Sequence, residues 1–211
     1  MPHLPTALVE YITMRIIGGE ARGRTIKTPR GMATRPMRDF VREAVFSILG
    51  RSVEGARVLD IFAGSGSLGL EALSRGAKEA VFVDFGREPI KIIQENLDRL
   101  GMSVRAKIIK AEVLDYLRKA CSGESRFDLI FIDPPFRIDL KYRQEMLKLI
   151  AEGGFLAPSA VVIIEAPLRS EPPRSPEGMR FAERRKYGEA AVDIYVNKEN
   201  NINQGKEGRA I

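Results

Sequence analysis

Three acids stand where the chain changes direction. Asp60 precedes the glycine turn Gly64-Ser65-Gly66-Ser67-Leu68-Gly69, Asp84 closes the apolar run Ala80-Val81-Phe82-Val83, and Asp133 opens Asp133-Pro134-Pro135-Phe136. The last motif carries the most specific chemistry. Two prolines remove two backbone donors and fix φ, so a strand cannot continue and its carbonyls are left facing outward. An exocyclic base amine has two N–H donors and a lone pair delocalised into its ring. To attack an electrophile it needs acceptors that hold both hydrogens while the nitrogen rehybridises. The Asp133 carboxylate and the Pro134 carbonyl are such acceptors, and Phe136 offers a face on which a flipped-out base can stack. A proline turn that only closes a strand is the plainer reading, and the glycine turn upstream weighs against it.

That turn admits two ligand types. Its letters fit G-x-G-x-x-G, so a dinucleotide is possible. Asp60, four residues before the first glycine, would face a pyrophosphate badly and would suit a ligand bearing a cation or an amine, such as S-adenosylmethionine. Asp84 suits a ribose diol, since one carboxylate can accept from both hydroxyls. Both ligand types share this feature. Phe85 is placed to line an adenine, and Ala111 and Glu112 follow a third apolar run, where backbone N–H or side-chain groups would read the adenine edge.

Strands and helices must alternate to bring these groups together. Residues 57–61 read as a buried strand, and helical spacing resumes from Leu68. Strands are expected at 80–84, 104–109, 127–132 and 160–165. Between them the apolar spacing predicts helices near 90–100, 111–120 and 142–150, and an earlier one over 38–49. Residues 179–186 and 190–196 read as a hairpin around Tyr187-Gly188-Glu189. The expected fold is α/β, with a mostly parallel sheet and an antiparallel edge. Right-handed crossovers then gather Asp60, Asp84, Lys110-Ala111-Glu112 and Asp133 along one rim. Residues 14–27 read as two short strands joined through glycines. The expected division is an extension over 1–13, a small RNA-binding hairpin and helix over 14–53, the main domain over 54–197 and a disordered polar tail over 198–211.

The 211 residues carry a net charge of +6. Between Arg15 and Arg42 lie eight cations (Arg15, Arg22, Arg24, Lys27, Arg30, Arg35, Arg38 and Arg42) against Glu20 and Asp39, a surplus equal to that of the whole chain. A localised basic segment is the footprint of polyanion binding. The single Cys121 makes no intrachain disulfide and fits a reducing cytoplasm. One cysteine and one histidine leave no zinc cluster, no apolar run approaches the ~20 residues of a membrane helix, and the start has no secretory signal pattern.

Asp60-Ile61-Phe62-Ala63-Gly64-Ser65-Gly66 resembles the methyl-donor loop of class I methyltransferases, and Asp133-Pro134-Pro135-Phe136 resembles motif IV of those acting on amines. The run from Met14 through Arg24, then Thr34-Arg35-Pro36, Val41-Arg42-Glu43 and residues 60–76, closely resembles the bacterial 16S ribosomal RNA (guanine(966)-N2)-methyltransferase family over about residues 14–197. The resemblance implies S-adenosylmethionine as donor, held by Asp60, Phe62, Ala63, Gly64, Gly66, Leu68, Asp84, Phe85, Ala111 and Glu112. It implies catalysis by Asp133, Pro134, Pro135 and Phe136, RNA contacts from Arg15, Arg22, Arg24, Arg35 and Arg38, no metal, and 16S rRNA or a partly assembled small subunit as partner of a cytoplasmic monomer. Lys110-Ala111-Glu112 replaces the Asp-Ala commoner in the family. A DNA or RNA adenine-N6 methyltransferase, an NAD-dependent oxidoreductase and a non-enzymatic RNA-binding module are the competing readings. The oxidoreductase lacks a Tyr-x-x-x-Lys or catalytic histidine, and the binding module leaves the Asp-Pro-Pro-Phe motif without a purpose.

Overall fold

The glycines after Met14 let the chain double back. In the computed structural model, which describes residues 12–29, 39–120 and 126–198, β1 (Ile12–Arg15) pairs antiparallel with β2 (Thr25–Thr28). The pairing begins at Ile12, so the first strand reaches two residues into the stretch expected as an extension; residues 1–11 of that stretch, Arg35, Arg38, Cys121 and the tail beyond Lys198 lie outside the described residues. Helix α1 (Asp39–Leu49) follows, with Val41, Val45, Phe46 and Leu49 buried.

The main body then alternates: β3 (Arg57–Ile61), α2 (Ser67–Ser74), β4 (Glu79–Asp84), α3 (Arg87–Leu100), β5 (Ala106–Lys110), α4 (Val113–Lys119), β6 (Phe127–Ile132), α5 (Leu140–Glu152) and β7 (Leu156–Pro167). A hairpin of β8 (Met179–Tyr187) and β9 (Ala190–Asn197) ends it. The seven strands lie in the order β5-β4-β3-β6-β7-β9-β8. The first five run parallel, and β9 is antiparallel to both β7 and β8. The inner strands β3 and β6 are buried on both faces, as their mostly apolar sequences require, whereas the edge strand β5 has no buried residue. The chain lays β4 and β5 to one side of β3, then returns to lay β6 and β7 on the other. The crevice at that reversal, between β3 and β6, is where open α/β sheets hold ligands.

Residues 14–53, expected as a small N-terminal unit, share their core with the sheet. Ile16, Ile26, Val41 and Phe46 pack in one cluster with Leu70, Leu73, Phe82 and Phe131. Polar groups lock the hairpin there. Glu71 on α2 is fully buried and accepts from the backbone N–H of Ile17 and of Gly18, both at 2.8 Å. Ser74 accepts from Ala21 N–H and donates to the Gly18 carbonyl. Asn96 on α3 accepts from Lys27 N–H and donates to the carbonyls of Lys27 and Ser65. Close approach to α2 requires Gly19: its φ is +76°, and a Cβ there would stand 1.8 Å from the Ser74 carbonyl oxygen.

Candidate active site

The strand register builds the rim. Ile61 pairs with Val83 on one side and Ile132 on the other, and Ile132 pairs with Ile164. One residue further along, Asp84, Phe62, Asp133 and Glu165 form the next row across the carboxyl ends of four adjacent strands. Asp133 therefore stands beside the end of β3, where the glycine turn starts.

In that turn Phe62 has φ 59°, the only positive value among the described non-glycine residues. Such a conformation costs energy and persists at functional sites. Gly64 and Gly66 are also left-handed, at φ 57° and 77°, and Gly66 is the residue before α2 begins. A Cβ on Gly66 would press on Ile93, Phe82 and Leu70 at 3.3–3.4 Å, so the turn is packed from below. Ala63 and Leu68 are buried beneath it.

Asp84 Oδ2 accepts from Gly64 N–H at 2.9 Å and Oδ1 from Gly86 N–H at 2.8 Å. Each oxygen keeps a further lone pair for a hydroxyl. The ring of Phe85, 57% exposed, stands next to it. A carboxylate held by two loop amides, an open apolar ring and a glycine turn above a helix N-terminus together fit the ribose and adenine of S-adenosylmethionine.

Asp60 is a correction. It was expected at the strand tip, facing a cationic ligand. The strand runs on through Ile61, so Asp60 lies one row deeper, between Phe82 and Phe131. It is 1% exposed, and its Oδ2 accepts from Gly69 N–H in the first turn of α2 at 2.9 Å. Burial pushes its pKa up to about 8, with the Gly69 N–H opposing and the nearby Asp84 charge adding. The unfolded value is 3.8, so the folded state takes up a proton between these limits, and stability falls as pH rises from about 4 to about 8. Asp60→Asn keeps an oxygen for Gly69 and removes this slope. Urea midpoints measured at pH 5 and pH 8 should show the variant gaining on wild type at the higher pH; an unchanged difference would refute the buried-acid account.

Ala111 and Glu112 follow β5 directly, and Glu112 is exposed. The Ala111 N–H donates to the Asp84 carbonyl, prolonging the β4–β5 ladder, so it is not open to an adenine edge. Glu112 caps α4, its Oε2 accepting from Leu114 N–H at 2.8 Å, while its Oε1 accepts from the Tyr142 hydroxyl at 2.5 Å. Tyr142 was missed by sequence reasoning, which placed it only on the apolar stripe of α5. Its ring tilts against Phe62 with centroids 6.3 Å apart, and burial together with Glu112 raises its pKa. The two residues thereby brace the strained Phe62. Glu165, 4% exposed, was missed too. Its signal was an acid closing the apolar run Val161-Val162-Ile163-Ile164, the same pattern as Asp84.

After β6 the chain leaves the sheet as expected. Pro134 is buried, Pro135 half-buried, and Phe136 is 36% exposed. The Pro135 carbonyl accepts from Ile138 N–H. Among the described residues no donor to the Pro134 carbonyl is seen.

The basic segment is sorted by the fold. Arg15 and Arg22 are exposed. Arg24, also exposed, donates to the carbonyls of Arg99 and Leu100, which are orphaned at the end of α3. Arg42 is fully buried and donates to Asp39 Oδ1 and the Arg15 carbonyl. Lys27 pairs with Glu95 at 2.7 Å. Among the described residues no cluster of His, Cys, Asp and Glu could hold a metal ion, and no helix is long and apolar enough to cross a membrane.

The chain matches a family model described as Conserved hypothetical protein 95 over residues 14–196. It is 33% identical to Ribosomal RNA small subunit methyltransferase D of Haemophilus influenzae over 185 residues, 87% of this chain and 94% of that protein. The Escherichia coli protein of the same name is 33% identical over 182 residues, 86% of this chain and 89% of its own length. A solved structure from Escherichia coli superimposes with a TM-score of 0.76 at 32% identity, covering 88% of this chain and 98% of that one. One from Thermus thermophilus gives 0.73 at 33% identity, covering 86% and 98%. With the glycine turn, Asp84 and the Asp-Pro-Pro-Phe corner on one rim, and these matches along nearly all of its length, the chain belongs to the Conserved hypothetical protein 95 family, that of the small-subunit rRNA methyltransferases D.

Proposed function

We propose that this protein transfers a methyl group from S-adenosylmethionine to the exocyclic N2 amine of a guanine in small-subunit ribosomal RNA, acting as a cytoplasmic monomer on free 16S rRNA or a partly assembled subunit. The observation that carries this reading is the placement of Asp133, which follows β6 directly and so lies beside the end of β3, where the donor turn begins. When bound, the donor supplies an electrophilic methyl on a sulfonium. The protein's residues do the rest. Asp84 takes the ribose hydroxyls, and Phe62 and Phe85 flank the adenine. Gly64 and Gly66 let the backbone approach the ligand. Asp133 and the Pro134 carbonyl accept from the two amine hydrogens, which turns the nitrogen lone pair toward the methyl. Asp133 also favours departure of the proton. Phe136 stacks on the extruded base. Most of the acceleration comes from holding the reactants in line and excluding water.

The relatives named as acting on small-subunit rRNA support the substrate class. Incubation with labelled donor and either naked 16S rRNA, assembled subunits or duplex DNA tests it, with the labelled base identified as 2-methylguanine. Label on DNA adenine alone would overturn the reading. Arg15 and Arg22 supply the RNA contacts. Replacing both with Ala should flatten the salt dependence of RNA binding, since each phosphate contact releases about 0.7–0.9 counterions, without changing donor affinity. Arg24→Ala should instead lower stability by loosening the end of α3. An unaltered salt slope in the double variant would remove Arg15 and Arg22 from the interface.

A further inference from the structure

A second cleft lies at the opposite end of the strands. It opens at the first residues of β4, β5 and β6, beside α4, and has a volume of about 550 Å³, within the range of small-ligand pockets. Asp84 and Asp133 follow or close these strands at their other ends, so this cleft is separate from the methyl-transfer rim. Its apolar side is aromatic. Phe127 and Phe155, both buried, stack beneath it at 6.5 Å with their planes 14° apart, and the half-buried Tyr116, which tilts against Phe155 at 6.1 Å, is the ring that reaches the cleft. Val104, 95% exposed, stands at the mouth.

The polar side is cationic. Arg57, Lys78, Arg105, Lys107 and Lys119 face a single acid, Glu79. Arg57 is taken by that acid at 2.6 Å. Arg105 is held by Glu20 and by the Leu73 carbonyl. Lys78, Lys107 and Lys119 are exposed and have no carboxylate partner among the described residues. Like charges left uncompensated around a low-dielectric cleft concentrate anions there. The accessible Tyr116 ring and the Val104 side chain beside a cationic rim call for a ligand that is flat and apolar at one end and anionic at the other, and stacking on such a ring tolerates any base.

We propose that this cleft binds a nucleotide, its base against Tyr116 and Val104 and its phosphate among Lys78, Lys107 and Lys119. The nucleotide comes either free or as an unpaired residue of an RNA strand, and nothing in the proposal depends on the methyl-transfer reading. The test uses the full chain saturated with S-adenosylhomocysteine, which closes the donor site. Backbone amide shifts are followed by NMR during titration with uridine, uridine monophosphate or a uridine hexanucleotide. Saturable shifts at Val104, Lys107 and Tyr116 are expected, with uridine weaker than its monophosphate by roughly tenfold or more, the loss expected for charge-assisted contacts. The triple variant Lys78→Ala, Lys107→Ala, Lys119→Ala should weaken binding by a similar factor with S-adenosylhomocysteine affinity unchanged. Saturation by the monophosphate identifies a free nucleotide. Saturation by the hexanucleotide at far lower concentration identifies RNA. Absence of shifts at these amides with every probe, or equal affinity in the triple variant, overturns the proposal. Failure of S-adenosylhomocysteine to bind would count against the methyltransferase reading, while uridine monophosphate would still report on the cleft.

Discussion

Asp133→Ala lowers methyl transfer by roughly 10²–10⁴-fold, the range for removing a group that manages a proton in the transition state, and leaves donor affinity and melting temperature close to wild type. The asymmetry follows from position. Asp133 is the first residue past β6 and none of the strand pairs that build the sheet includes it, so its loss does not open the core. In the proposed reaction its bonds to the amine strengthen as positive charge grows on the nitrogen, and interactions made mainly in the transition state act on turnover. Asp133→Asn separates two parts of the role: the amide oxygen still accepts one hydrogen, but the charge that favours proton departure is gone, so activity should be partial. Phe136→Ala should act on RNA capture instead, at a cost of about 1–3 kcal/mol of stacking. Single-turnover rates with labelled donor read all three. A folded Asp133→Ala protein that methylates rRNA at the normal rate would move the chemistry elsewhere.

Glu71→Ala produces the largest loss of stability, about 3–5 kcal/mol. Glu71 is fully buried. It accepts from Arg75 Nε at 2.8 Å as well as from Ile17 and Gly18 N–H, and Arg42 Nε lies 3.8 Å away. Its removal leaves a buried guanidinium short of its counter-charge and two backbone donors unsatisfied, each at the full cost of desolvation. Burial already lowers the Arg42 pKa against the raising influence of Asp39 and Glu71. Glu71→Gln, which keeps one of the two acceptor oxygens, replaces the other with an NH2 donor and loses the charge, should cost about 1.5–3 kcal/mol. Urea denaturation measures both, and hydrogen exchange at Ile17 and Gly18 should rise before that of β3. A loss below about 1 kcal/mol for Glu71→Ala would contradict this account.

Much of the fold was legible because it is written in local patterns. Apolar runs ended by acids marked β4 and β6, and the helix expected near 90–100 ends where Gly101 closes α3 at φ 73° with its N–H on the Asp98 carbonyl. The hairpin of β8 and β9 turned at Gly188 as expected. Strand β7 was read too short, since it starts at Leu156 rather than 160; Pro158 and Ser159 interrupt the apolar run and lie exposed. The convergence of Asp84 and Asp133 followed from chain direction alone.

The sequence by itself determined the element order, the rim and the chemical types that meet there, because strand period, glycine turns and proline corners act over a few residues. Only the tertiary structure decided what each charged group faces. Asp60, Glu112 and Arg24 read alike as charges with no protein partner, and the fold gives each one, distant in sequence or at a helix end: Gly69, Tyr142 with Leu114, and the last carbonyls of α3. Glu71 looked like an ordinary helical acid and is the anchor of the N-terminal hairpin. The physical reason is that a charge carries no local signature of its partner. Which face of a helix is buried can be read from spacing, but whether a carboxylate meets water, a ligand or an orphaned backbone N–H depends on the chain that folds over it.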